Sequence, residues 1–187
     1  DFQTPDALAL QLCELLKGQG LAPRTILEPT CGKGNFLWAA SQCFPEVDTL
    51  CGIEFQKAYL ELAREKLAPF PGTLKLEEGD FFAKDWKAFL DGLKRPLLIL
   101  GNLPWSTNAV QGTFSKQNLP TKQNHYQLKG WDAISGQSNF DISEWMLLHL
   151  WQLLRGKDEH LAFVSKTKVA QRCLIQAHKQ GLPGSDA

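Results

Sequence analysis

Leu27-Glu28-Pro29-Thr30-Cys31-Gly32-Lys33-Gly34-Asn35-Phe36 sets an acid and a Gly-x-Gly turn directly behind a short apolar segment that begins at Ile26. Glycines have no side chain to hold a ligand off, so a strand-to-helix turn built from them lets a ligand come close to the backbone. Dinucleotide sites extend the pattern to G-x-G-x-x-G and rest a pyrophosphate on the helix N-terminus. Here Leu37 stands where the third glycine would be. The turn therefore suits a nucleotide cofactor that carries no phosphate.

The segments on either side follow the alternation of an α/β domain. Upstream, Thr4-Pro5-Asp6 reads as a helix start, with a hydroxyl N-cap, a proline and an acid in the first turn. Leu8, Leu12, Leu15 and Leu16 then predict one apolar helix face, which Gly18 and Gly20 close. Strands are predicted over 24–28, 49–54, 73–77, 97–100 and 160–165, and helices over 34–43, 56–67, 85–93, 141–154 and 167–179. Strand and helix in turn predict a mostly parallel sheet with helices on both faces. In such sheets ligands sit off the carboxyl ends of the strands. Each marked motif falls there: Glu28 to Gly34, Glu54, Asp80 and Asn102.

Gly101-Asn102-Leu103-Pro104-Trp105 ends the fourth predicted strand. A carboxamide oxygen and a backbone carbonyl can accept the two N–H bonds of a planar amino group, while an indole stacks on its ring. The plainer alternative is a turn that contains Asn and Pro. Glu54, about 20 residues beyond the glycine turn, is spaced to accept from ribose hydroxyls.

With Phe2-Gln3-Thr4-Pro5 in front, this ordered set, which also includes Gly52-Ile53-Glu54-Phe55 and Gly79-Asp80-Phe81-Phe82, resembles the S-adenosylmethionine-dependent N6-adenine DNA methyltransferases of restriction-modification systems. The likeness is to the class that begins with the cofactor motifs and ends with a target-recognition domain, and it runs from Phe2 to about Lys168. It implies a Rossmann-like methyltransferase fold. It also implies a cofactor site formed by Thr4, Pro5, Glu28, Pro29, Thr30, Cys31, Gly32, Gly34, Asn35, Phe36, Glu54, Phe55, Asp80 and Phe81. In that site Glu28 and the Thr4-Pro5 turn would face the methionine part, Asp80 would accept from the adenine amino group, and Phe55 or Phe81 would flank the ring. Asn102, Leu103, Pro104 and Trp105 would form the methyl-transfer site, acting on an adenine flipped out of DNA.

Leu103 departs from the pattern. DNA adenine methyltransferases usually carry proline there, and Asn-Leu-Pro-aromatic is more typical of ribosomal RNA adenine dimethyltransferases. The opening motif and Ser138-Asn139-Phe140-Asp141 to Trp145 favour DNA. An RNA adenine or protein amino-group methyltransferase is the runner-up, and an inactive methyltransferase-like binding domain the third reading.

Composition bounds the rest. At 187 residues, with Lys plus Arg and Asp plus Glu both at 20, the chain suits one catalytic domain and carries no overall nucleic-acid signature. Residues 106–140, polar and without periodicity, are expected to form a long loop over the substrate site. Cys13, Cys31, Cys43, Cys51 and Cys173 show no metal-ligand spacing and are expected as reduced thiols in a cytoplasmic protein, with no metal. No apolar run reaches about 18 residues, so no membrane span is expected. The chain opens on Asp1 and shows no target-recognition domain or final strands. It is expected to be the catalytic portion of a larger enzyme or assembly, its sheet incomplete at the C-terminus.

Overall fold

Ile26, Leu50 and Leu98 point to one face of a sheet and Leu27, Cys51 and Ile99 to the other, and all six are fully buried. Burial of successive side chains on opposite faces is the signature of a sheet covered on both sides. The computed structural model describes residues 3–104 and 142–185. Trp105, the predicted loop over 106–140, and Ser138 to Asp141 lie outside the described residues.

Five strands are described: β1 (Thr25–Glu28), β2 (Thr49–Glu54), β3 (Thr73–Glu78), β4 (Leu97–Asn102) and β5 (Glu159–Val164). They form one sheet in the order β3-β2-β1-β4-β5, and every pairing is parallel. The register sets Leu27 beside Cys51 on one side and beside Ile99 on the other. The helices are α1 (Asp6–Gly18), α2 (Asn35–Cys43), α3 (Lys57–Leu67), α4 (Trp86–Asp91), α5 (Ile142–Leu153) and α6 (Thr167–Gln180). None of the described helices is long and apolar enough to cross a membrane.

The chain divides into two units, Asp1–Asn102 with Leu154–Val164, and Leu103–Leu153 with Ser165–Ala187. In the first, α1, α2 and α3 share a core with one sheet face, through Ala9, Cys13, Leu37, Ala39, Ala40, Leu60, Ala63 and Leu67. Trp86 of α4 is buried and donates its indole N–H to the Phe81 carbonyl at 2.8 Å. In the second unit α5 and α6 pack through Leu148, Val169 and Cys173, and Arg172 pairs with the buried Glu144 at 2.8 Å.

The predicted strands and helices are all present, with three corrections at the level of residues. Thr4 does not cap α1. Pro5 occupies the N-cap position, and no side chain caps the helix. The Thr4 hydroxyl is engaged elsewhere, as described below. The buried face of α1 is Ala9 and Cys13, with Leu10, Leu12 and Leu16 packed partly against it, whereas Leu8 and Leu15 are exposed. Small side chains prevail here because the facing α2 also presents alanines, so the two helices meet over short residues. Finally, β4 runs two residues past Leu100, because Gly101 and Asn102 continue to pair with Phe163 and Val164 of β5.

Candidate active site

Each strand of the sheet's middle ends in a polar residue on the same edge: Glu28 on β1, Glu54 on β2 and Asn102 on β4, with Asp80 two residues past β3. The strand order reverses direction between β1 and β4. In an open parallel sheet the carboxyl edge at such a switch point is the usual ligand position. Glu28 and Asn102 stand on the two sides of that point.

Main-chain donors shape the glycine turn. Cys31 donates its N–H to the Ile53 carbonyl at 2.8 Å, and Gly34 to the Cys31 carbonyl at 2.7 Å. Both Glu54 carboxylate oxygens accept backbone N–H bonds at 2.8 Å, one from Gly32 and one from Gln56. Gln3 completes the enclosure: its Oε1 accepts from the Lys33 N–H at 3.2 Å. A Cβ on Gly32 would fall 2.4 Å from that same oxygen. Gly34 has φ +76°, and its Cβ would lie 3.2 Å from Ala63 and Leu67 of α3. The room expected beside Gly34 for a ligand is therefore taken by α3, and this glycine serves helix packing.

Glu28 is buried, with 4% of its surface exposed, and its Oε2 has no hydrogen-bond partner. Gly101 makes this possible: at φ +148° it has no side chain, and a Cβ there would lie 3.2 Å from Glu28 Cγ. Burial holds the carboxyl well above the usual carboxylate range, a backbone hydrogen bond at Leu37 opposes the shift, the Glu54 charge adds to it, and Lys66 opposes it.

Asn102 is held from one end only. Its Nδ2 donates to Thr4 Oγ1 at 3.2 Å, while its Oδ1 is buried and without a partner. Thr4 in turn accepts from Asn35 Nδ2 at its carbonyl, 2.6 Å away. Asn35 Oδ1 receives Lys66 Nζ at 2.7 Å.

Not every residue expected in the site lies open at that edge. Phe36 belongs to the core beneath the α1–α3 layer, Pro29 and Cys31 are buried, and Thr30 is half-buried. Phe81 packs on Trp86 with ring centroids 4.7 Å apart and is 5% exposed, so it is a core aromatic, whereas Phe55 is 64% exposed at the edge. Asp80 Oδ1 accepts from the Phe82 N–H at 2.9 Å, closing a local turn. Leu103 is buried and Pro104 exposed, both at the start of the second unit; Trp105 lies outside the described residues. Gln3, Gly101 and Lys66 are the residues that sequence reasoning left out of the site. Gln3 had a signal, since it sits within the opening motif; Lys66 had none, because its role depends on a contact 31 residues away.

No family model matches the chain. A type II methyltransferase from a Nostoc strain, M.NspV, is 46% identical over 184 residues, which cover 97% of this chain and 38% of that enzyme. The chain thus spans about two-fifths of the length of the curated relative it matches. Among solved structures, a candidate RNA methyltransferase from Pyrococcus horikoshii aligns with a TM-score of 0.59 at 14% identity, covering 97% of this chain and 71% of that one. At that identity the likeness concerns the fold, a parallel sheet with helices of the Rossmann-like methyltransferase kind. Along nearly its whole length the chain is thus similar in sequence to a portion of a type II methyltransferase, and its fold is of the Rossmann-like methyltransferase kind.

Proposed function

We propose that this chain carries the cofactor and methyl-transfer site of an S-adenosylmethionine-dependent enzyme that methylates the N6 amino group of adenine in DNA, within a restriction-modification system. The observation that supports this most is Asn102 Oδ1, a buried acceptor with no partner at the switch point of the sheet. A buried polar atom left unpaired costs about 1–3 kcal/mol. A ligand that brings an N–H to it recovers that cost.

The residues also fit the proposed cofactor. Glu54 and Asp80 give this edge acidic character, and Glu28 Oε2 is a second buried oxygen without a partner. Such an edge suits a cofactor with an ammonium and a sulfonium, and repels a pyrophosphate. Glu28 would face the ammonium, Glu54 the ribose hydroxyls, and Asp80 with Phe55 the adenine end. When bound, S-adenosylmethionine supplies a methyl group activated by positive sulfur.

The chain's own part is to prepare the nucleophile. An aryl amine is weakly nucleophilic because its lone pair is spread into the ring. Asn102 Oδ1 and the Leu103 carbonyl would accept its two hydrogens, favouring a pyramidal nitrogen with a localised pair. Pro104 would fix the turn and Trp105 stack on the base, the latter worth roughly 1–3 kcal/mol. Alignment of the nitrogen supplies much of the rate gain.

The test uses tritiated cofactor with DNA and RNA substrates. Label is expected at adenine N6 in DNA, and Asn102→Ala lowers it by about 100-fold or more, as loss of a catalytic hydrogen-bonding group does. Label in RNA would favour the runner-up, which Leu103 in place of proline supports. Label in neither would overturn the proposal.

A further inference from the structure

A carboxamide can turn about its last side-chain bond, and its oxygen and nitrogen ends are nearly equal in size. Only the end that is held tells them apart. In Asn102 the held end is Nδ2, and what holds it is the hydroxyl of Thr4, 98 residues earlier in the chain. Thr4 is itself 7% exposed and tied down. Its carbonyl accepts from Asn35 Nδ2, Asn35 Oδ1 accepts from Lys66, and Lys66 Nζ also meets Asp6 Oδ1 at 2.5 Å. The hydroxyl is not spent on capping α1.

We infer that Thr4 is the positioning residue for Asn102: its hydroxyl holds the carboxamide nitrogen and so aims the carboxamide oxygen at the amino group to be methylated. The inference rests on the reading of Asn102 as the acceptor of that amino group. It assigns the opening segment a task in methyl transfer that a purely cofactor-binding role for Thr4 would not include. Without the hydroxyl the amide plane is free to turn. A turn of half a revolution would present N–H donors to an amino group that is itself a donor.

The experiment compares Thr4→Val, which keeps the shape and removes the hydroxyl, with Thr4→Ser, which keeps the hydroxyl. For Thr4→Val, kcat is expected to fall about tenfold or more, since small misplacements of reacting groups cost up to about 100-fold. The KM for cofactor should change by less than about threefold, and Thr4→Ser should recover most of kcat. A second readout does not depend on turnover. The Asn102 side-chain amide gives a proton–nitrogen signal pair, assigned by its loss in Asn102→Asp. That pair should shift and exchange faster with solvent in Thr4→Val, and stay in place in Thr4→Ser.

A Thr4→Val enzyme with unchanged kcat, or an Asn102 amide signal that does not move, overturns this inference while the proposed function stands. A rise confined to the cofactor KM overturns it too, and returns Thr4 to cofactor binding. A wild-type chain that transfers no methyl group to adenine removes the reading on which the inference rests, and the inference with it.

Discussion

A carboxyl with 4% exposure and one unpaired oxygen keeps its proton more readily than the same carboxyl in water, and Glu28 is such a group. Its folded-state pKa is raised, chiefly by burial, so between the ordinary carboxylate range and that raised value the folded chain holds a proton the unfolded chain has lost. Stability therefore falls as pH rises through this window, and is recovered on acidification back to the ordinary range. Glu28→Gln keeps the shape and cannot ionise. It is expected to be the more stable protein at neutral pH, and to lack this fall with pH. Urea denaturation across a pH series checks it; parallel curves for the two proteins would show that Glu28 is not the source. The acid at the end of the first strand was legible in the sequence, but its burial was not. Burial depends on Gly101, 73 positions along, leaving space against Glu28 Cγ.

Elements were more legible than the contacts among them. Alternating strand and helix patterns predicted every described strand and helix, because period 2 and period 3.6 are local properties of the chain. The buried face of α1 was not, since Leu8 and Leu15 repeat as a core stripe would, whereas the face against α2 uses Ala9 and Cys13. The end of β4 was misjudged for a related reason: a glycine reads as a breaker, but Gly101 remains paired with Phe163. Gly34 shows what such contacts cost to disturb. It opens α2 at φ +76°, a region costing an L-residue about 1–2 kcal/mol, and a Cβ would press on Ala63 and Leu67 at 3.2 Å. Gly34→Ala is expected to destabilise the chain by about 1–3 kcal/mol, the range for overpacking a tight core. A lowered urea midpoint with an unchanged slope would bear this out, and an unchanged midpoint would mean that α3 yields without cost.

Across the molecule the five thiols offer a way to follow folding in each unit. Cys13, Cys31, Cys43 and Cys51 lie in the first unit and Cys173 in the second, and all five are buried thiols outside any disulfide. Burial pushes the Cys13 thiol up to about 12 and Cys51 to about 11, and raises Cys31 and Cys43 as well. A thiol reacts as its thiolate, so native cysteines like these are inert near neutral pH. A disulfide reagent such as dithionitrobenzoate should leave the native chain unmodified and count five thiols once it is unfolded. The two units differ in what holds them. Cys13, Cys31 and Cys43 sit in a core that joins three helices to the sheet and Cys51 is buried on the other sheet face, whereas Cys173 shares its cluster with Leu148 and Val169. Local opening is easiest where few apolar contacts must be given up. Cys173 is therefore expected to become reactive at lower urea than the other four, as read by peptide mass mapping of the modified sites. Simultaneous exposure of all five would mean that the chain opens as a single cooperative body, and a thiol reactive without urea would mean that its surroundings are looser than the packing around it requires.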